Sequence, residues 1–87
     1  MRTRYEQILK ALFRQNLRRD RERLGIPRVA MARRLRMAER SYLDLEYGTY
    51  SCSALTLMLY LAFICEDSGA FIRSFRERVR EEDGVEH

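Results

Sequence analysis

Apolar residues recur at helical spacing almost from the first residue, and this period of about 3.6 residues predicts an all-α protein. The first run ends at Gly25, which suits a helix end, and Thr3 with Glu6 has the spacing of an N-terminal capping box. The charged face of this helix, which includes Arg14 and Arg18, is predicted to be solvated scaffold. Its apolar stripe contains Tyr5, Ile8, Leu9, Leu12, Phe13 and Leu17.

Two shorter helices are predicted after the first. Pro27 suits the first turn of a helix of about two turns that continues to Leu35. Ala32 is a small residue at which two helices can cross closely. A tight turn then leads to a third helix over residues 38–46, which Gly48 stops. The sequence therefore predicts two short helices joined by a tight turn.

The fourth predicted helix differs from the others because it is apolar on nearly all sides, with Ser51 or Ser53 as its cap. A surface helix would carry a polar face. We therefore expect one side to complete the core and the other to be covered by the last helix or by a second subunit. That fifth helix follows a break at residues 66–69, and its apolar stripe is Phe71, Ile72, Phe75 and Val79.

The length of 87 residues and a hydrophobic fraction of 46% are enough for one modest core. One domain over residues 1–80 is predicted, followed by a disordered acidic tail over residues 81–87. Residues 1–50 contain 13 Lys and Arg against 6 Asp and Glu, whereas residues 51–87 contain 4 against 7. A basic half of this kind suits a surface attracted to phosphate, although a solvated basic face would have the same composition.

Residue types at fixed intervals run from the first helix into the fourth: Leu17, Arg21, Gly25, Ile26, Ala32, Leu35, Tyr42, Leu45, Glu46, Gly48, Ser53 and Leu57. This set resembles the Cro/C1-type (XRE) helix-turn-helix family. The resemblance implies a five-helix, lambda-repressor-like helix-turn-helix domain whose third helix lies in a DNA major groove. It also implies a structural salt bridge between Arg21 and Glu46.

The turn before the third helix departs from that family. Arg36 stands where the family often has a Gly with left-handed backbone, and a side chain there costs on the order of 1 kcal/mol if the conformation is kept. Ala38 stands where Ser or Thr usually caps the third helix, and losing that cap costs roughly 0.5–2 kcal/mol. We expect core packing to compensate for both losses.

The outward positions of the third helix are the candidate base contacts. Arg40 can donate to guanine, Ser41 to a base or a phosphate, and Glu39 can accept from cytosine. Leu43 can contact a thymine methyl group. Glu39 and Asp44 put negative charge on a face meant for a polyanion, so salt bridging to nearby arginines is the alternative for both.

Phosphate contacts are expected from Arg28, near the start of the second helix, and from the polar loop with Thr49 and Tyr50. The alternative for Arg28 is an ordinary surface arginine. The complete predicted DNA-binding set is Arg28, Arg36, Glu39, Arg40, Ser41, Leu43, Asp44, Tyr47, Thr49 and Tyr50.

A homodimer is expected, because two-fold symmetric motifs bind two half-sites. The sequence leaves open whether the fifth helix packs within its own chain or across the dimer. The predicted dimer interface consists of Leu59, Tyr60, Phe63, Phe71, Ile72 and Phe75.

Other classes of function lack the residues they need. Cys52 and Cys65 have no metal-ligand spacing and the one histidine is His87, so no metal or other cofactor is predicted. The two cysteines are interpreted as structural thiols, with a disulfide as the alternative. No nucleophile with a base, no phosphate loop and no small-molecule site is evident, so an enzyme is not predicted.

The apolar run at 54–65 has 12 residues, which is short of the ~20 that cross a bilayer. With no signal core near the start, a cytoplasmic protein without membrane contact is expected. The predicted function is therefore a double-stranded DNA-binding transcriptional regulator. The alternative is a protein–protein interaction module derived from the same fold, with little specific DNA binding.

Overall fold

A computed structural model of the chain describes residues 2–48 and 53–84, and these residues form five helices and no strand. The all-α class predicted from the sequence period is confirmed for this part of the chain. The helices are α1 (Arg2–Leu24), α2 (Arg28–Arg34), α3 (Glu39–Tyr47), α4 (Ala54–Phe63) and α5 (Ser68–Glu82).

The long helix α1 is the centre of the fold, because both α3 and α5 pack against it. It ends as predicted at Gly25, which has a φ of +67°. The predicted capping box at its start is wrong: α1 begins at Arg2, so Thr3 already lies inside the helix. The core that surrounds α1 consists of Leu12, Phe13, Leu17, Met31, Ala32, Leu35, Tyr42, Leu45, Tyr60, Ile64 and Phe71.

The helices α2 and α3 pack against each other and are joined by a tight turn. Arg36 has a φ of +58°, so this position has the left-handed conformation that is costly for a residue other than glycine. The Met37 amide donates to the Ala32 carbonyl at 3.0 Å, which closes α2 with the hydrogen bond of a Schellman motif. Ala38 is the N-cap of α3 and provides no side-chain hydrogen bond, so α3 begins one residue later than predicted.

The helices α4 and α5 both begin with a side-chain cap. Ser53 accepts from the Thr56 amide at 3.1 Å and is therefore the N-cap of α4. Ser51, the other predicted candidate, lies outside the described residues. Asp67 accepts from the Ala70 amide at 3.0 Å. Each cap satisfies one backbone donor that the first turn leaves unpaired.

Helix α5 packs along α1 within the same chain, in antiparallel orientation. The phenol of Tyr5 donates to Asp83 at 2.8 Å, and Arg4 pairs with Glu82. The predicted tail boundary at residue 80 is therefore too early, because α5 continues to Glu82 and its end is held by the start of α1. Since α5 lies on α1, it leaves the outer stripe of α4 exposed.

Candidate nucleic-acid interface

The outer face of α3 carries both signs of charge. The side chain of Arg40 is 86% exposed and lies 3.7 Å from the Asp44 carboxylate, one helical turn away. Glu39 and Tyr47 are also exposed, whereas Ser41 and Leu43 are half-buried. The salt-bridge alternative for Asp44 is thus formed in the free protein. An exposed pair of this kind is weak, so Arg40 can leave it at little cost.

The C-terminal part of α3 is fixed to the core by the Glu46 carboxylate, which is fully buried. Arg21 Nε donates to Glu46 Oε2 at 2.7 Å, which forms the ion pair that the family resemblance implies. Arg28 Nε donates to Oε1 at 2.9 Å, and the Tyr42 phenol donates to Oε2 at 2.5 Å. Three helices therefore meet at one carboxylate, and we call these four residues the Glu46 cluster.

The electrostatics of the Glu46 cluster favour the ionised carboxylate. Burial by itself raises the pKa of Glu46, but hydrogen bonds from Arg21, Tyr42 and Arg28 outweigh it and leave the pKa below its ordinary value. Burial, followed by the hydrogen bond to Glu46, raises the pKa of Tyr42. The cluster is therefore charged at neutral pH, with two guanidinium groups around one carboxylate.

Arg28, predicted as a phosphate contact, has a second role that the sequence did not indicate. It pairs with Glu46 and also lies over the ring of Tyr47, with Cζ 5.9 Å from the ring centroid. Its side chain is still 39% exposed. The carboxylate and the ring therefore hold the guanidinium in one position at the surface beside α3.

Arginines of α1 close the C-terminal end of α3. Arg18 Nη2 donates to the Glu46 carbonyl at 3.3 Å. The side chain of Arg14 covers Gly48 so closely that a Cβ at Gly48 would lie 2.4 Å from Arg14 Nη1. The prediction that Arg14 and Arg18 belong to a scaffold face is compatible with these contacts, but the two side chains also support the end of α3, which the sequence analysis does not anticipate. The signal was their spacing with Arg21, at i, i+4 and i+7 on one stripe of α1.

A second buried carboxylate was not recognised in the sequence. Asp20 is fully buried and accepts from the phenol of Tyr60 at 2.6 Å, which joins α1 to α4. Asp20 lies seven residues after Phe13 and three after Leu17, so its position on the buried stripe of α1 was the available signal.

The predicted dimer-interface residues divide into three groups by burial. Tyr60 and Phe71 lie in the core of the single chain, where they form edge-to-face contacts with Phe13, and their assignment to a dimer interface is wrong. Leu59 and Phe75 are half-buried. Phe63 on α4 and Ile72 on α5 are exposed, as are the large apolar side chains of Leu55 and Met58 on α4, and Phe63 is the most exposed of the four at 79%.

The remaining predicted contacts are Arg36, which is exposed in the turn, and Thr49 and Tyr50, which lie outside the described residues.

Cys65 is a half-buried free thiol, and Cys52 also lies outside the described residues. Within residues 2–48 and 53–84, no group of acidic, Cys or His side chains is arranged to hold a metal ion. None of the five helices is both long and apolar enough to span a membrane.

The chain matches no known family model, and neither the curated proteins nor the solved structures yield a match.

Proposed function

We propose that this chain is a sequence-specific DNA-binding transcriptional regulator with a lambda-repressor-like helix-turn-helix fold, of the Cro/C1 type that its sequence resembles. The supporting observation is the unit of α2, the left-handed turn at Arg36 and α3. The outer face of α3 presents Arg40 to solvent, while buried Glu46 fixes the other side of this helix to α1 and α2. A rigidly held helix with an exposed arginine has the requirements of a recognition helix.

The proposed roles follow from exposure and position. Arg40 exchanges its weak pair with Asp44 for guanine, because a bidentate contact to two base acceptors is stronger than an exposed i,i+4 ion pair. Arg28 contacts a phosphate from the start of α2, where Glu46 and Tyr47 already orient it. Orientation before binding reduces the side-chain entropy that the contact costs.

The acidic residues on α3 favour the second candidate function, a protein-interaction module. Glu39 and Asp44 leave the outer face of α3 without a strong positive charge, whereas a protein partner would accept this mixture. The two candidates differ in their salt dependence, because only DNA binding releases many counterions.

A homodimer is part of the proposal, and the proposed contact surface is the exposed apolar face of α4. The ten residues of α4 include no charged side chain, and Leu55, Met58 and Phe63 are exposed on it. An uncharged apolar patch is self-complementary, as a two-fold contact requires. Sedimentation equilibrium tests this: the native chain should dimerise and Phe63→Glu should be monomeric. A monomeric native chain at high concentration would exclude the dimer.

Fluorescence-anisotropy titration tests DNA binding. The native protein is titrated with duplexes from upstream of its own gene and with scrambled duplexes, at low and physiological salt, beside Arg40→Ala. Arg76→Ala is the matched control, since it removes an exposed arginine from α5. We expect the native protein and the control to prefer one duplex and Arg40→Ala to lose that preference by roughly 5- to 150-fold, because a base contact is worth about 1–3 kcal/mol.

Two outcomes would contradict the proposal. Weak and equal binding to all duplexes, unchanged by Arg40→Ala, would remove the base-contacting role and favour the interaction module. Equal losses for Arg40→Ala and Arg76→Ala would mean that only net charge matters.

A further inference from the structure

The C-terminal end of α3 lies beside a groove that is rich in arginine. The groove is lined by Arg14, Gln15, Arg18, Arg19, Glu22 and Tyr47. We call it the α1 groove, because all of its lining residues except Tyr47 belong to α1. It is an open surface feature, so a ligand can reach it without a change in the fold.

Positive charge in the α1 groove exceeds what the protein itself neutralises. Arg19 lies 3.5 Å from buried Asp20, and Glu22 supplies one negative charge to the groove. Arg14 and Arg18 form no ion pair with any residue in the described part of the chain. Arg14 and Arg18 therefore lie one turn apart on α1, and neither is paired with a carboxylate in the described part of the chain.

Stabilisation of α3 accounts for only part of this charge. A cation near a helix C-terminus interacts favourably with the helix dipole, and Arg18 fulfils this role through its bond to the Glu46 carbonyl. The helix end is already closed by the Gly48 amide, which donates to the Leu45 carbonyl at 3.1 Å. Arg14 donates no hydrogen bond within the described residues, so the donors of its guanidinium group that do not face Gly48 can bind a ligand.

The position of the α1 groove relative to α3 identifies the ligand. Tyr47 lies seven residues after Arg40, so the two occupy the same face of α3 about 10 Å apart. The major groove of DNA is about 12 Å wide. In the proposed complex, Arg40 near the start of α3 contacts a base edge, and the α1 groove beside Tyr47 is then close enough to reach the phosphates that border a groove of this width.

We infer that Arg14 and Arg18 form a phosphate-binding site for the DNA backbone, beside Tyr47, whose ring Arg28 also contacts. This inference rests on the proposed DNA binding and extends the contact surface onto α1. The ligand is a phosphodiester, so the contact carries no sequence information. The site strengthens binding to every duplex equally.

The salt dependence of binding to a scrambled duplex tests the site. Arg14→Gln/Arg18→Gln removes both charges but keeps polar side chains that can still cover Gly48 and bond the Glu46 carbonyl. Arg76→Gln/Arg80→Gln is the control, because it removes two exposed arginines from α5. Thermal unfolding of all three proteins, followed by circular dichroism, establishes that each is folded at the assay temperature.

In Arg14→Gln/Arg18→Gln, the slope of log K against log salt should become less negative by about 1 for each phosphate that the protein no longer neutralises. Affinity for the preferred and the scrambled duplex should fall by the same factor, so the preference should be kept. The control should retain the native slope.

Three outcomes would overturn the inference, and they are distinguishable. If the native protein binds DNA and both double variants keep its slope, the α1 groove holds no phosphate while the proposed function stands. If both variants lose equal slope, the effect is one of net charge. If the native protein shows no salt-dependent binding, both proposals fail.

Discussion

The two short helices α2 and α3 begin without side-chain caps, whereas α4 and α5 both begin with one. The turn between α2 and α3 also contains a residue in left-handed conformation, Arg36. Near the end of α3, buried Glu46 forms ion pairs with two arginines within 3 Å, and no other buried carboxylate among the described residues does so. Around α4 and α5, the shortest bond to buried Asp20 comes from the neutral phenol of Tyr60 at 2.6 Å, beside an aromatic group of three rings. Arg19 and Arg23 also lie near Asp20, but at the longer distances of 3.5 and 3.4 Å.

The difference indicates two ways of fixing a helix. The positions of α4 and α5 follow from their side-chain caps together with the burial of apolar side chains, so the local sequence and the tertiary packing favour the same structure. The positions of α2 and α3 depend on the Glu46 cluster, because their N-terminal ends lack side-chain caps. Backbone strain, as at Arg36, and missing helix caps that are concentrated in one region are typical of functional surfaces.

The largest expected effect comes from Glu46→Gln. The substitution keeps the shape of the side chain but removes its charge, so Arg21, which is only 15% exposed, loses its ionic partner. We expect the free energy of unfolding to fall by about 3–5 kcal/mol, measured by urea denaturation with circular dichroism. Glu66→Gln is the control: its pair with Arg23 is exposed, and its removal should change little. Equal effects for the two variants would mean that the Glu46 cluster does not fix α3.

The difference in stability between the native protein and Glu46→Gln should depend on pH. The lowered pKa of Glu46 means that its ionised form favours the folded state. This contribution is present above the ordinary pKa of 4.5 and is lost as the pH falls from there through the folded-state value. The stability difference between the native protein and Glu46→Gln should therefore shrink below about pH 4.5. A constant difference between pH 7 and pH 3 would contradict this linkage.

Much of the fold could be predicted from the sequence, because helical periodicity and the stops at Gly25 and Gly48 are local signals. The extension of α5 past residue 80 was missed because it depends on long-range contacts with α1. Exposed Arg40 on α3 was identifiable from spacing, and the Arg21 pair from the family resemblance. The second ionic partner of Glu46, Arg28, has no local signal, because eighteen residues separate the two in sequence.

An intermediate effect is expected from Tyr60→Phe in the half of the molecule that depends on aromatic packing. The ring and its edge-to-face contacts remain, but Asp20 Oδ2 loses its O–H donor, while Oδ1 keeps its bond from Arg23. Leaving a buried acceptor unsatisfied costs about 1–3 kcal/mol in the free energy of unfolding. Tyr5→Phe is the control, since its bond to Asp83 is exposed and should contribute no measurable stability in urea denaturation. If Tyr60→Phe were as stable as the native protein, the Asp20 bond would contribute nothing and apolar packing alone would hold α4.

The smallest effect should have the opposite sign. Arg36→Gly removes a side chain from a left-handed backbone position, which relieves roughly 1–2 kcal/mol of strain and costs part of that gain in chain entropy. We expect a net stabilisation of about 0.5–1 kcal/mol by urea denaturation. Arg33→Gly, which changes an exposed arginine inside α2, should instead destabilise by roughly 1 kcal/mol because its backbone is helical. The opposite signs would locate the strain in the turn rather than in α2. Destabilisation by both variants would mean that the arginine side chain in the turn contributes contacts worth more than the strain.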